Sequence, residues 1–343
     1  MAPYYDGLLA FLFRQLFYTI PEVAPVDLSG KVVLLTGANS GIGLALAFML
    51  ASRGAEVIAA VRSVAGGEAA RHKILKTIPA ANVKVRQCDL ASFDSVKRFV
   101  TELEQDSVTL DLVILNAGVW CSKMITSRDG FDLSLQVNVL SNALLAISLL
   151  PYLRYENSRA RIVFVTSEGH AMVPTRFHQS SSLLNSLNHR CHNFDHYTHY
   201  YTSKLFGLLW ALALSRRVNP EKLSLVLVSP GLCKSELFRT VRCAPTDLLT
   251  RCFARNCDDG ARMVMLASVT ETENSRDMYY SQGSQVPISK FASSTEGIVC
   301  QERLWEEIMA ILDRVHPDLK SHLHKVQRLL NPRSPLQGHT QFL

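Results

Sequence analysis

Tyr200 and Lys204 are the two residues in this chain best placed by type and spacing to move a proton. Four residues is about one helical turn, so the two side chains share a face and can act on one atom. Carbonyl reduction needs an acid that protonates the developing alkoxide, and a free phenol with a pKa of about 10 is too weak for this near neutrality. An adjacent ammonium favours the phenolate and is expected to bring the phenol down towards the working pH. Neither Tyr197 nor Tyr201 has a lysine four residues on, so the pairing singles out Tyr200. Such pairs also arise by chance on helix surfaces, so the weight of this one depends on what surrounds it.

A second feature is the turn Thr36-Gly37-Ala38-Asn39-Ser40-Gly41-Ile42-Gly43, which follows an apolar run and opens a helical stretch. Glycines there let the backbone turn sharply and approach a pyrophosphate, which the free N–H groups and dipole of the helix N-terminus stabilise. A tight strand-to-helix turn without a ligand is the plainer alternative. Correct strand and helix flanks on both sides favour the dinucleotide site.

Residues of this kind need a scaffold. Val32 to Leu35, Val57 to Val61, Val83 to Val85, Leu112 to Leu115, Ile162 to Val165 and Leu225 to Val228 are short, fully apolar, β-branched runs. Runs of this kind suit strands covered on both faces, as in a parallel sheet. Between them lie helical stretches at Ile42 to Arg53, Gly67 to Ile78, Ser92 to Leu103, Phe131 to Leu153 and Tyr200 to Arg216. The alternation predicts an α/β fold: a Rossmann-type, doubly wound parallel sheet of about seven strands with right-handed crossovers and helices on both faces, in a single domain.

The composition, 48% hydrophobic and 19% charged over 343 residues, is that of an ordinary globular chain with a large core. The formal charge of +6 is spread along the sequence without a basic run, which argues against a nucleic-acid partner. Eight cysteines without a CxxC pair suggest free thiols in a reducing compartment, hence a cytoplasmic protein. Residues 1–26 form an arm. Its run from Leu8 to Phe13 is too short to span a bilayer and lacks the flanks of a signal peptide. As a helix, Leu8, Leu9, Leu12, Phe13, Leu16 and Phe17 make one apolar stripe. The expected cover is the domain itself or a second subunit, with weak contact to a membrane surface as the alternative. The arm holds none of the candidate site residues, so the chemistry is expected to be independent of it. Residues 27–312 make the domain, with a lid over a substrate pocket around 232–260, and 313–343 make a C-terminal helix and a polar, mobile tail.

The glycine turn, preceded by Asp27-Leu28-Ser29-Gly30-Lys31, resembles the cofactor motif of the short-chain dehydrogenase/reductase family, most of all its retinol-dehydrogenase-like branch and fungal secondary-metabolism reductases. The resemblance runs from about Asp27 to Leu312, and further landmarks follow in order. Asp89-Leu90 resembles the pair that contacts adenine, and Asn116-Ala117-Gly118 the element that supports the sheet beside the cofactor. Pro230-Gly231 follows the sixth strand, with Ser235 where the family places a hydroxyl near the nicotinamide amide. With Tyr200 as acid, the resemblance implies that Lys204 bonds the nicotinamide ribose and that Ser167, in a Ser-x-x-His pattern closing on His170, positions the substrate oxygen. It implies that Asn138 holds a water of the proton relay. An asparagine in an apolar helix is costly unless it bonds something.

Two departures stand out. The stretch between Ser167 and Tyr200 is long and carries His170, His178, His189, His192, His196 and His199; no acidic partner completes a metal motif, so no metal is expected. Leu115 replaces the second asparagine of many relatives. The second strand ends Val61-Arg62-Ser63 without the acid that NAD enzymes place there, and the Arg62 fork suits a 2′-phosphate, so NADP(H) is the expected cofactor. Leu237, Phe238, Val241, Leu248 and Leu249 resemble an apolar lid and imply a lipophilic ketone, aldehyde or secondary alcohol. The segment Gln301-Glu302-Arg303-Leu304-Trp305 resembles fungal secondary-metabolism relatives. A retinol- or steroid-type dehydrogenase and a non-catalytic NADP(H) sensor stay open as alternatives.

Overall fold

The computed structural model describes residues 8–155, 159–174, 180–188, 194–241, 244–270 and 278–330. His178, His189, His192, the side chains of Leu8, Leu9, Leu248 and Leu249, and the tail from Pro332 lie outside the described residues. Helix α1 (Leu8–Phe17) precedes β1 (Val32–Thr36), α2 (Gly41–Ala51), β2 (Glu56–Val61), α3 (Val64–Thr77), β3 (Asn82–Gln87), α4 (Phe93–Gln105) and β4 (Leu112–Leu115). Then come α5 (Leu133–Leu135), α6 (Ser141–Leu149), β5 (Ala160–Val165), α7 (Asn185–Asn188), α8 (His196–Ser215) and β6 (Leu223–Ser229). The last elements are α9 (Ala244–Phe253), α10 (Cys257–Val269), β7 (Met278–Ser281), β8 (Ser284–Val286), α11 (Lys290–Ser293), α12 (Thr295–Val315) and α13 (Leu319–Leu330).

The strands lie in the order β3-β2-β1-β4-β5-β6-β7-β8, parallel throughout except for β8, which returns antiparallel to β7. Leu34 and Leu35 show why the runs are continuous: the first packs into the core on one face, the second into the core on the other, and neither is exposed. The order reverses between β1 and β4, so their C-terminal ends diverge into a crevice. Seven parallel strands match the expectation. The added hairpin strand and β7 escaped the sequence reading because Met278-Tyr279-Tyr280-Ser281 has no aliphatic run.

Two expectations are corrected. Phe131–Leu153 is not one regular helix: a π-helical turn at Gln136–Leu140, holding Asn138, separates α5 from α6. Leu133–Tyr152 is apolar enough to cross a membrane by composition, yet most of it is buried within the fold, as the central helix of a core would be. The domain does not end at 312, which lies inside α12; α13 also joins the core through the buried Leu319 and Leu323. Gln301–Trp305 also packs in the core, with the Trp305 ring 5.8 Å from Trp210 and the Arg217 guanidinium 4.3 Å over it. Helix α1 turns its polar Gln15 inward, where it is buried, whereas Phe13, Leu16 and Phe17 of the apolar stripe are 61%, 51% and 68% exposed and Leu12 is half-buried.

Asp111 anchors the ends of the strands away from the crevice. Its Oδ1 accepts from Lys31 Nζ (3.1 Å) and Arg154 Nε (3.2 Å), and its Oδ2 from the Val32 N–H (2.9 Å) that starts β1. Replacing Asp111 with Ala leaves that N–H and two cations without an acceptor and is expected to cost about 3 kcal/mol, seen as a lower melting temperature. Asp111→Asn, which keeps an acceptor, should lose clearly less.

Candidate active site

At the crevice the chain makes its sharpest turn. Gly37 stands at φ +69°, and a Cβ on Gly43 would lie 2.1 Å from Gly37 O, so only glycine lets α2 start this close to β1. Ser40 caps α2 in extended conformation without a side-chain hydrogen bond to the first turn, whose N–H groups stay directed at the crevice. Asn116 Nδ2 donates to Thr36 O (2.9 Å) and Ala117 N to Thr36 Oγ1 (2.9 Å), tying the end of β4 to the end of β1. Asn39, Gly41, Ile42, Asp89, Leu90, Gly118, Pro230, Gly231 and Ser235 join these residues around one cleft of about 400 Å³, together with Arg62, Ser167, Tyr200 and Lys204. Of the candidate residues only Asn138 does not line it. The cradle fits a dinucleotide: a glycine floor lies under a helix N-terminus, and Arg62 stands exposed at the rim.

The catalytic candidates come together on β5 and α8. Asp195 caps α8, accepting from Tyr197 N (3.0 Å) and Thr198 N (3.3 Å), and Tyr200 follows in the next turn. The Tyr200 hydroxyl is close enough to Ser167 for the two to influence each other, and the Ser167 Oγ accepts from Gly169 N (3.1 Å). Lys204 Nζ donates to Val165 O (3.1 Å) and stands 5.9 Å from the Tyr200 ring centroid.

Electrostatics here runs against the sequence expectation. Burial pushes the Tyr200 phenol above its ordinary range, the nearby Tyr201 adds to this, and the neighbouring Ser167 opposes it. Burial likewise lowers Lys204, to about 8, because an enclosed ammonium loses its hydration. In this geometry desolvation therefore decides the direction in which the phenol is shifted.

Asn138 sits behind the cleft wall. Its Oδ1 accepts from Val119 N (2.9 Å), and its Nδ2 donates to Val119 O (2.9 Å) and Ser203 Oγ (2.9 Å). Both ends of the amide are engaged, so its side chain holds the segment after Gly118 in place.

The sequence reading missed Trp120. Its ring stacks on Tyr200 with centroids 4.3 Å apart and planes at 4°, Phe238 lies 5.3 Å away, and Nε1 donates to His196 O (3.1 Å). Thr240 Oγ1 donates to Trp120 O, joining the lid to this wall. Val241 is buried in the same cluster, with Leu237 and Phe238 packed against it. The available signal was position, since Trp120 follows Gly118 by two residues. The lid is narrower than 232–260, because α10 begins at Cys257 and Gly260 packs against Ile42 of α2. His199 Nε2 meets Asp132 Oδ1 at 2.8 Å, and no metal-ligand cluster occurs among the described residues. All six described cysteines are free.

Comparison with known proteins agrees with this geometry. The family model for short chain dehydrogenases matches residues 31–180. The short chain dehydrogenase rstn4 of Aspergillus nomiae is 31% identical over 97% of this chain and 92% of its own length. The short-chain dehydrogenase fogG of Aspergillus ruber is 33% identical over 88% and 91%. The crystal structure of an uncharacterized protein from Mycobacterium paratuberculosis, 28% identical, superposes with a TM-score of 0.63 over 83% of this chain and 95% of that one. The chain belongs to the short-chain dehydrogenase/reductase family. It is an oxidoreductase whose family binds nicotinamide cofactors and acts on small molecules.

His170, buried in the turn that follows Ser167, provides a test by pH. Burial lowers it to about 4, and its Nδ1 lies 2.6 Å from Ser167 O, a contact that a neutral ring makes as donor. The unfolded chain takes up this proton near pH 6.5, but the folded protein resists until about 4, so stability is expected to fall as pH drops through that window. The melting temperature against pH measures it, and His170→Gln should flatten the profile between pH 6.5 and 4.

Proposed function

We propose that this protein is an NADP(H)-dependent reductase of lipophilic ketones or aldehydes, able to run in reverse on secondary alcohols. The observation that carries it is the Tyr200–Ser167 hydroxyl pair at the foot of a wall made by Trp120, Leu237 and Phe238. A wall of this kind removes apolar surface from water and offers no charge for an ionic substrate. Support for NADP(H) comes from the other end of the cleft. Arg62 and Ser63 line it where the second strand ends, the Ser63 hydroxyl accepts from Gly66 N to cap α3, and the strand end carries no carboxylate for a ribose 2′-hydroxyl. The likeness to Aspergillus enzymes supports a fungal setting, and the resemblance of Gln301–Trp305 supports secondary-metabolite assembly.

The nicotinamide supplies the hydride, and the residues of this chain handle the proton. Ser167 Oγ accepts from Gly169 N, which leaves its own hydrogen for the carbonyl oxygen as charge grows there. Tyr200 gives its phenolic proton to that oxygen, and its raised pKa keeps the phenol protonated at neutral pH. Lys204, protonated below about pH 8, is placed to bond the ribose and to favour the phenolate left behind. Asn138 keeps the backbone between Gly118 and Trp120 in register.

Turnover of NADPH and NADH with a panel of lipophilic carbonyls tests this. Tyr200→Phe is expected to lose at least about a hundredfold in kcat while NADPH still binds, the scale of a general acid. Activity above about a hundredth of wild type would remove Tyr200 from the role. Arg62→Ala should weaken NADPH by about 1–3 kcal/mol and leave NADH nearly unchanged. Equal losses on both cofactors would overturn the NADP(H) preference.

A further inference from the structure

Helix α1 contains none of the cleft residues, yet it reaches the serine turn through a buried ion pair. Arg14 Nη2 lies 3.0 Å from Glu168 Oε2, with the two side chains 12% and 2% exposed. Glu168 is the residue after Ser167. Its Oε1 accepts from Ser281 Oγ (2.5 Å) and Gln282 Nε2 (3.0 Å), at the turn between β7 and β8. Its N–H donates to Ser229 Oγ (3.1 Å), and the same hydroxyl accepts from Gly231 N (3.3 Å). Glu168 thus joins the turn after β5 to the end of β7 through its carboxylate and to the end of β6 through its N–H. Arg14 is the cation that meets the carboxylate.

The helix is itself held at the place where the lid leaves the body. The Arg255 guanidinium donates to Arg14 O (2.9 Å), Tyr18 O (2.9 Å) and Gln15 O (3.2 Å), satisfying the open carbonyls at the end of α1 with a favourable charge. Its third nitrogen donates to Gln282 Oε1 (2.6 Å), closing a ring back to Glu168. Gln15 Nε2 donates to Leu232 O (2.9 Å) and Phe253 O (3.2 Å), on the two sides of the lid, which meet in the bridge between Cys233 and Arg255. A Cβ on Gly231, at φ +71°, would lie 2.4 Å from Gln15 Oε1, so the backbone beside the cleft is shaped around this glutamine.

We propose that α1 is a clamp on the active site. Arg14, acting through Glu168, is a positioning residue for Ser167, and Gln15 holds the two ends of the lid together. The inference rests on the reading of Ser167 as the group that orients the substrate oxygen. It reverses the expectation that the arm is dispensable for the chemistry. Charge is the operative property: without Arg14 a buried carboxylate faces neutral donors alone, and relieving that charge means moving the turn that carries Ser167.

The full chain is tested as wild type, Arg14→Met, Arg14→Lys and Arg14→Met/Glu168→Gln. The readouts are kcat with NADPH and a carbonyl that the wild type accepts, the Kd of NADPH, and hydrogen exchange across residues 166–172. The amide of Gly169 donates to Ser167 Oγ, so its exchange reports the placement of that hydroxyl. Arg14→Met is expected to lower kcat at least tenfold, keep the NADPH Kd within threefold, and speed exchange at Gly169. Arg14→Lys should recover part of both, and the double variant most, because the uncharged amide that replaces the Glu168 carboxylate needs no counter-charge. Arg14→Met with wild-type kcat and exchange would overturn the clamp, as would a double variant no better than the single one. So would a loss of kcat matched by an equal loss of NADPH affinity, the mark of general destabilisation. If the wild type reduces no carbonyl in the panel, the proposed function falls, and the exchange comparison alone decides the clamp.

Discussion

No side chain fits at Gly43, where a Cβ would sit 2.1 Å from Gly37 O and 2.7 Å from Asn116 Nδ2. This close approach of α2 to the ends of β1 and β4 is the contact on which the site depends. It sets the first N–H groups of α2 over the crevice and lets Asn116 bridge to Thr36 O. It also brings Ile42 against Gly260 of α10, and so fixes where the lid rejoins the body. A larger residue would force the helix outward, and the cradle, the lid base and the strand ends would separate together.

Burial is the second organising force, and it acts on the titratable groups around Ser167. The phenol of Tyr200 is pushed up and the ammonium of Lys204 and imidazole of His170 are pushed down, each with desolvation as the largest cause. All three are thereby driven towards their neutral forms. Beside them stands Glu168, a buried carboxylate held by a guanidinium and two neutral donors. The groups around the reacting atoms are therefore set in protein, and the ion pair of Glu168 runs out from them to the N-terminal helix.

Much of the site was legible because it is local. The glycine turn, Asp89-Leu90, Asn116-Ala117-Gly118, Pro230-Gly231 and the Tyr200/Lys204 pair each depend on a few neighbouring residues at a strand end or on one helical turn, and all of them face the cleft. Trp120, Thr240, Arg14 and Gln15 were not legible. Their roles depend on partners far away in the chain: Arg14 meets Glu168, and Gln15 meets Leu232 and Phe253. No period or spacing links such positions. The π-helical turn at Asn138 was missed for a related reason. Its apolar neighbours read as a plain helix, and only the pull of Val119 and Ser203 on the amide marks the place of the irregularity.

The sequence by itself determined the parallel sheet, its switch point and the identity of the groups that face it, because hydrophobic runs and glycine turns act within a few residues. It also determined that α1 has an apolar and a polar face. Which face packs inward was decided only in three dimensions. A hydrophobic stripe would ordinarily be buried, but the partners waiting at the lid base are a carboxylate, two backbone carbonyls and the Arg255 guanidinium. Arg14 and Gln15 pair with these groups, which would be costly to leave unpaired, and the polar face turns in. The tertiary structure likewise decided the protonation balance of Tyr200 and Lys204, since their spacing predicts mutual stabilisation of charge and their shared burial opposes it.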